Sequence, residues 1–220
     1  MPTSKTTALV LKKTKLGETD LIITLLDEEG LQRRAVAKGA RKPGSFLAAP
    51  LELYQLVEVQ LSSGRSLEIV TDARVLDTHA NCRSDIEHSA AAAAVVELAE
   101  KATSQSNPEP LLFAMTEAAL KNLEEASGSA IYLISLACLL KLCAALGVHP
   151  DAREIAAGNT LLADWVDLLL GARFADLQEY QGPEYQPLLI DLREFTQRWI
   201  ERHLEIKLKS LGFIESLLVT

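Results

Sequence analysis

The hydrophobic period of this chain changes near Asp77, and the change restricts the folds that the chain can adopt. Before that point, short apolar runs stand between Gly-bearing turns, a pattern typical of β-strands. After it, apolar residues recur every three or four positions along much longer segments, as they do in helices. Strands followed by helices predict an α+β fold or two domains, and we place the predicted boundary near residue 80.

Five short strands are predicted in the first part of the chain, over residues 6–13, 21–26, 31–37, 51–61 and 66–76. The alternation is clearest in 51–61, where Val57 and Val59 share one face and Glu58 lies on the other. The Gly-bearing segment 62–65 is predicted to turn the chain into a hairpin. Five short strands joined by such turns predict a small barrel that is closed or nearly closed.

The remainder of the chain predicts helices. Ser84 and Glu87 have the spacing of a capping box, which is expected to begin an Ala-rich helix that ends near Lys101. Further helices are predicted over 107–126, 129–146 and 161–170, and from 187 to about 208. Asn159 or Thr160 is expected to cap the helix over 161–170. An all-helical region is therefore predicted to follow the barrel.

The charge of the chain is unevenly distributed. The net charge of −8 and the pI of about 5.1 argue against a nucleic-acid partner for the chain taken as a whole. Residues 1–43, however, hold nine Lys and Arg against five Asp and Glu, whereas residues 81–220 hold eleven against twenty. Charge segregated in this way is typical of a polyanion site beside a module that has another task.

No catalytic or metal-binding constellation is recognisable in the sequence. The four histidines stand singly, and Gly39 and Gly44 do not have the order of a phosphate-binding loop. Cys82, Cys138 and Cys143 form no Cys-x-x-Cys pair, so we interpret them as core thiols. We therefore expect no enzyme activity, no cofactor and no bound metal.

The sequence also predicts where the protein resides. It begins without the charged and apolar regions of a secretion signal, and it has no apolar run long enough to span a membrane. We therefore expect a soluble protein that stays in the compartment in which it is made.

The basic residues of the first strands are the candidate binding residues. Arg34 and Lys38 are predicted to share one strand face, with Arg33 on the opposite face. Such cations can follow a phosphate backbone because they release condensed counterions whatever the base sequence. The alternative is that they are solvated charges that keep an edge strand from pairing.

Aromatic side chains are scarce in this part of the chain. Residues 1–80 contain only Phe46 and Tyr54, and both are compatible with core positions. Sites that grip single strands by their bases usually supply aromatic stacking platforms. Few platforms predict a site that holds the backbone and leaves the base edges accessible.

Several segments resemble the bacterial recombination mediator RecO in order and spacing: 8–13, 17–20, 25–30, 36–43, 51–54, 64–67 and 73–76. The run from Val36 to Arg41 is the most specific of them. The resemblance is looser over the helices, where 146–147 and 203–210 still match. The chain is thereby identified as similar to the RecO family over the barrel and, less closely, beyond it.

This resemblance implies an OB-fold DNA-binding domain over residues 1–80 and a helical domain over 81–220. It also implies binding of single- and double-stranded DNA and annealing of complementary strands. The residues implied as DNA-binding are Lys12, Lys13, Arg34, Lys38, Arg41, Lys42 and Arg65. Many relatives carry a four-cysteine zinc hairpin after the Leu-Gly turn, but residues 151–160 contain no cysteine, so we expect the hairpin to be absent here.

The resemblance implies protein partners as well. RecR and the single-strand DNA-binding protein are implied as partners in loading the RecA recombinase, in a cytoplasmic, nucleoid-associated setting. The acidic, apolar-tipped tail of the single-strand DNA-binding protein would need an apolar pocket with a cation at its rim. Lys121 and Lys141 are candidates for that cation, and helix-surface solubility is the alternative role of each. The alternative function for the whole chain is an OB-fold scaffold that assembles protein partners and binds no nucleic acid.

Overall fold

The computed structural model describes residues 3–154 and 159–219, and its N-terminal part is a closed barrel of five strands. The strands are β1 (Thr3–Leu16), β2 (Asp20–Asp27), β3 (Gln32–Ala37), β4 (Leu56–Ser62) and β5 (Glu68–Asp77). They are arranged in the order β1-β2-β3-β5-β4, and β4 pairs back with β1. Only the β3–β5 pairing is parallel among these five. This is the arrangement of an OB-fold, and the predicted fold class is confirmed.

Alternate residues of each strand fill the barrel interior. Val10 lies opposite Leu25, and Ala8 lies opposite Val57, and all four side chains are fully buried. β1 carries an irregularity between Val10 and Lys12, where its register with β2 shifts. A bulge of this kind bends a strand, which helps one long strand to pair with β2 at one end and β4 at the other.

The predicted strand over 51–61 begins five residues too early. β4 starts at Leu56, and residues 51–55 form turns in which Tyr54 has a left-handed backbone, with φ 70°. Leu51 is buried in the barrel core without belonging to a strand. Leu51 is apolar because it packs in the barrel core, although the sequence pattern suggested a strand. The backbone N–H of Tyr54 donates to the carbonyl of Val10, and the N–H of Val10 donates to the carbonyl of Gln55, so both ends of this contact hold the segment in place.

The chain after β5 forms helices, as predicted. They are α1 (Asn81–Ser84), α2 (Ile86–Ala102), α3 (Pro110–Glu125), α4 (Ser129–Ala145), α5 (Thr160–Gly171), α6 (Gln186–Leu204) and α7 (Lys209–Leu218). Short 3-10 turns cover Ala152–Glu154, Phe174–Glu179 and Pro183–Tyr185. Asn159 caps α5 by accepting a hydrogen bond from the backbone N–H of Leu162, which confirms one of the two predicted caps.

Three predicted helix ends are wrong, and one of them is the start of α3, which lies at Pro110 and not at residue 107. Ser84 ends α1, and the carboxylate of Asp85 caps α2 by accepting from the backbone N–H groups of Glu87 and His88. The predicted helix from 187 to about 208 is interrupted after Leu204, where Glu205 adopts a left-handed conformation with φ 57°. A left-handed residue ends a helix because it turns the chain out of the hydrogen-bond ladder.

Contacts along the chain group its residues into two compact units. The barrel unit contains the described residues up to 79 together with 99–117, and the helical unit contains 80–98 and the described residues from 118 onward. Within the barrel unit, Gln32 donates hydrogen bonds to the backbone carbonyls of Glu100 and Ser104, at 2.7 and 2.8 Å. The division of the chain into two domains at about residue 80 stays a prediction.

Helix α4 forms the centre of the helical unit. Most of its side chains are buried on every side of the helix, as expected where apolar residues surround the helix axis. Cys138 and Cys143 lie in this core, and Cys82 is buried too, which confirms the interpretation of core thiols. Burial raises the pKa of Cys143 to about 12 and that of Cys138 still further.

Two further findings apply to the described residues alone. Within 3–154 and 159–219, no cluster of three or more His, Cys, Asp or Glu side chains has an arrangement that would hold a metal ion. No helix in the described part of the chain is both long and apolar enough to cross a membrane. Residues 155–158, which belong to the segment expected to lack the zinc hairpin, lie outside the described residues.

Candidate nucleic-acid interface

A groove of about 530 Å³ opens on the barrel between the end of β3 and the loop that joins β4 to β5. Its lining consists of Val36, Lys38, Ser63, Gly64, Arg65, Ser66, Leu67 and Ile69. β3 and β5 pair at only two positions, Ala35 with Glu68 and Val36 with Ile69, so little backbone pairing closes the barrel here. We call this feature the β3–β5 groove.

The groove combines an apolar lining with two exposed cations. Val36, Leu67 and Ile69 contribute apolar surface, and Lys38 and Arg65 are exposed. Gly64 permits the tight turn beside Arg65, because a Cβ there would lie 2.0 Å from the carbonyl oxygen of Leu67. The geometry of the loop therefore fixes where the backbone presents Arg65.

The loop that follows β3 is anchored to the start of β2. Gly39 has a left-handed backbone, with φ 65°, and its N–H donates to Oδ1 of Asp20 at 2.7 Å. That hydrogen bond, together with one from Thr19 and the charges of Lys38 and Lys42, lowers the pKa of Asp20. Asp20 is thus ionised over the physiological range, and it holds the backbone from which Lys38 and Lys42 project.

Arg41 connects two loops of the barrel. Its backbone N–H donates to the carbonyl of Thr19 at 2.9 Å. Its Nη1 donates to the carbonyls of Gly17 and Glu18 at 3.2 and 2.9 Å. Although the sequence singled out Arg41 as a DNA-binding cation, its guanidinium is occupied in holding the β1–β2 loop, residues 17–19, against the loop after β3.

Lys12 and Lys13 are paired with carboxylates. Nζ of Lys12 lies 3.0 Å from Oε1 of Glu100, and Nζ of Lys13 lies 2.7 Å from Oε1 of Glu52. Arg33, on the opposite face of β3 from Arg34 as predicted, is 2.8 Å from the buried carboxylate of Asp27. The hydrogen bond to Asp27 raises the pKa of Arg33, which makes this arginine part of the barrel structure.

The remaining four candidates are exposed: Arg34, Lys38, Lys42 and Arg65. None of them forms an ion pair within 4 Å with a residue that the structure describes. The seven candidates thus separate into three held by other groups and four whose charge is uncompensated by a contact. Two of these four, Lys38 and Arg65, line the β3–β5 groove.

Two residues near this surface were not among the predicted site residues. Lys15, at the end of β1, is exposed and forms no ion pair with the described residues. Its position beside the Gly17 turn is the sequence feature that could have identified it.

Phe46 is 68% exposed, four residues after Lys42, whereas Tyr54 is buried. The expectation of a core position is wrong for Phe46 and confirmed for Tyr54. A ring in this loop stays at the surface because Leu47 and Leu51 supply the loop's contacts with the core.

The two lysines considered for the helical unit differ in their surroundings. Nζ of Lys141 donates to the carbonyl of Leu170 at 2.6 Å and lies 5.9 Å from the centroid of the Phe174 ring. Lys121 is exposed on α3. A pocket of about 200 Å³ in the helical unit has a carboxylate, Glu87, in its lining, and neither lysine contributes to it.

Comparison with known proteins shows that two family models match the sequence of this chain. The model described as Recombination protein O N terminal matches residues 1–79, which include the whole barrel. The model described as Recombination protein O C terminal matches residues 83–164.

Three relatives carry the name DNA repair protein RecO, and each is 34% identical to this chain over the matched residues. The protein from Roseiflexus sp. strain RS-1 matches over 160 residues, 73% of this chain and 56% of its own length. The protein from Desulfitobacterium hafniense strain DCB-2 matches over 68% and 54%. These two relatives are therefore matched over little more than half their length. For the Synechococcus elongatus protein the shares are 88% and 77%. Both family models and the broad match to this last relative lead to one conclusion: the chain belongs to the RecO family.

Proposed function

We propose that this chain is a DNA repair and recombination mediator whose barrel binds the phosphate backbone of single- and double-stranded DNA. One observation carries the proposal: an OB-fold barrel has exposed, unpaired cations at and beside a groove formed by its β4–β5 loop, residues 63–67. OB-folds bind oligonucleotides through this loop, the β1–β2 loop and the face of strands two and three. Similarity to relatives named DNA repair protein RecO supports the proposed role in DNA repair.

Each candidate residue receives a role from its contacts. Arg34, Lys38, Lys42 and Arg65 supply phosphate contacts, because no carboxylate has to be displaced before they bind. Arg41 positions the two loops through its hydrogen bonds to backbone carbonyls. Lys12 and Lys13 lie at the periphery and contribute only when they exchange Glu100 and Glu52 for phosphates.

The proposed mechanism is annealing without nucleotide hydrolysis. Cations that contact phosphates neutralise the repulsion between two strands and carry no base preference. Phe46 is the one exposed ring in the described part of the barrel region, so most bases of a bound strand keep their pairing edges accessible. A complementary strand can then pair with the bound one, and the protein contributes charge and position, with no catalytic residue.

The helical unit is proposed to serve protein partners. Residues 81–220 carry eleven basic residues against twenty acidic ones, a balance that opposes DNA binding and suits protein docking. By analogy with the family, the partners are RecR and the tail of the single-strand DNA-binding protein, and the outcome is loading of RecA onto coated DNA in the bacterial cytoplasm. Lys121 is better placed than Lys141 to meet an acidic tail, because Lys141 is already bonded to Leu170.

Two measurements with the purified protein test the proposal. Fluorescence anisotropy with labelled single-stranded oligonucleotides measures binding, and fluorescence quenching between two complementary labelled strands measures annealing. We expect affinity and annealing rate to fall together as salt rises, because both depend on counterion release. An absence of binding at low salt would favour a scaffold that assembles proteins alone, and a strict ATP requirement would reject the annealing mechanism.

A further inference from the structure

A cluster of three aromatic rings lies at the surface of the helical unit, in a segment that the proposed DNA site does not use. Trp165 is on α5, Tyr180 follows the 3-10 turn Phe174–Glu179, and Tyr185 ends the 3-10 turn before α6. The ring centroids are 5.2, 5.7 and 5.5 Å apart, and each pair meets edge to face. We call these residues the aromatic triad.

The aromatic triad is not part of the buried core. All three side chains are half-buried, whereas Trp199, the other tryptophan of the chain, is 2% exposed. Leu161, one helical turn before Trp165 on α5, is 61% exposed and extends the apolar surface. Tyr and Trp that are partly exposed in this way are enriched in protein interfaces, because their rings supply a large apolar contact area and their O–H and N–H groups can hydrogen-bond.

An acidic residue immediately precedes each ring of the triad in the sequence. Asp164 precedes Trp165, Glu179 precedes Tyr180 and Glu184 precedes Tyr185, and all three carboxylates are exposed. Residues 159–191 contain six Asp and Glu against a single basic residue, Arg173. That arginine is already bound to Asp176 through two hydrogen bonds of 2.9 and 3.1 Å.

This charge pattern selects the chemistry of a partner. Exposed carboxylates on the same segment as partly exposed rings attract Lys and Arg, which can pair with a carboxylate and contact a ring. The same carboxylates repel a phosphate backbone. We propose that the aromatic triad and its three carboxylates form a docking surface for an Arg- or Lys-bearing peptide segment of a partner protein.

The proposal is tested with the full chain and a short fluorescein-labelled peptide of alternating Arg and Ala. The comparison peptide has Glu in place of Arg. We expect the Arg peptide to bind measurably more tightly in low salt by fluorescence anisotropy. Binding should also change the tryptophan emission, because Trp165 is half-buried at the surface while Trp199 is enclosed.

Variants locate the binding on the molecule. The triple substitution Asp164→Asn, Glu179→Gln and Glu184→Gln changes only exposed side chains. We expect it to lower the affinity for the Arg peptide by about fivefold or more, because surface ion pairs typically contribute up to about 1 kcal/mol each. Trp165→Phe keeps a ring, so binding should stay within about fivefold while the emission change disappears.

A control variant removes one carboxylate elsewhere in the same unit and is compared with Glu184→Gln alone, which should weaken binding of the Arg peptide. Glu201 is exposed on α6 and lies about 22 Å along the helix from Gln186, which directly follows Tyr185 of the triad. Glu201→Gln should therefore leave peptide binding unchanged. Equal binding of the Arg and Glu peptides would overturn the proposal. So would a triple variant that binds as the wild type does, or an emission change that persists in Trp165→Phe.

Discussion

Replacing Lys38, Lys42 and Arg65 together by Gln removes three positive charges at and beside the β3–β5 groove. These side chains are exposed and form no ion pair with the described residues, so the barrel keeps its internal contacts. Gln keeps part of the apolar stem and adds no negative charge near Asp20, which anchors Gly39. We therefore expect a folded variant with weaker binding to single-stranded oligonucleotides of any sequence.

The size of the effect follows from counterion release. The logarithm of affinity falls linearly with the logarithm of salt concentration, and each phosphate contact on a single strand makes this slope steeper by about 0.7. Losing three contacts therefore makes the slope shallower by about 2. Between about 50 and 200 mM salt, a slope difference of that size amounts to about 18-fold. The wild type should lose about 18-fold more affinity over this range than the variant does.

The assay is a salt titration by fluorescence anisotropy, with circular dichroism to verify folding. The control variant Lys121→Gln, Arg202→Gln and Lys209→Gln makes the same change in net charge on exposed residues of the helical unit. We expect it to keep the wild-type slope. If both variants lower the slope equally, binding reflects total charge and not the groove. If neither does, these three cations do not contact phosphate.

Four further outcomes follow from the structure. Arg41→Ala should accelerate amide exchange over residues 17–19, because the carbonyls there lose the donor that holds the loop, and it should lower the free energy of unfolding by roughly 0.5 to 1.5 kcal/mol. Gly30→Ala should lower the melting temperature markedly, because its Cβ would lie 2.0 Å from the backbone of Glu109 and φ is +78°. Asp20→Asn should flatten the loss of stability in acid: the folded-state pKa of Asp20 is lowered, so its contribution is full above about pH 4 and disappears as the pH falls below that. Elemental analysis should find no stoichiometric zinc, because the cysteines are separate and buried.

Each of these outcomes can fail in a specific way. Unchanged exchange over 17–19 would show that Arg41 is not the residue that holds this loop. An unaltered melting temperature in Gly30→Ala would mean that the backbone near Glu109 moves aside. Parallel acid-unfolding curves for wild type and Asp20→Asn would remove Asp20 as a source of acid sensitivity, and about one zinc per chain would reveal a site among cysteines interpreted as core.

Much of the fold could be predicted from the sequence because local patterns of apolar residues, turns and caps determined it. The β4–β5 hairpin, the buried helix α4 and the cap at Asn159 all follow from neighbouring residues. The failures occurred where apolar residues serve the core without belonging to a regular element. Leu51 is buried in the barrel core from a turn, and Glu205 interrupts an apolar pattern that continues on both sides of it.

The candidate site was less predictable, because the state of a cation depends on distant residues. The partner of Lys12 is Glu100, 88 positions away in sequence, and Arg41 is held by carbonyls that have no sequence signature. The sequence therefore identified seven basic residues but could not separate the paired from the unpaired. Exposure of Phe46 was missed for a related reason, since one aromatic in a loop has no periodicity from which its burial can be predicted.

Pairing also explains how a chain of net charge −8 can present a polyanion site. Screening limits the reach of an exposed charge to about 8 Å at physiological salt, so contacts near a surface outweigh the total for the chain. In the barrel, Glu58 is bound by both Lys5 and Arg74, and Asp27 is bound by Arg33. Such ion pairs compensate charge elsewhere on the barrel. Arg34, Lys38, Lys42 and Arg65 have no carboxylate within 4 Å among the described residues, so at the β3–β5 groove a phosphate can replace water and counterions without first displacing a carboxylate.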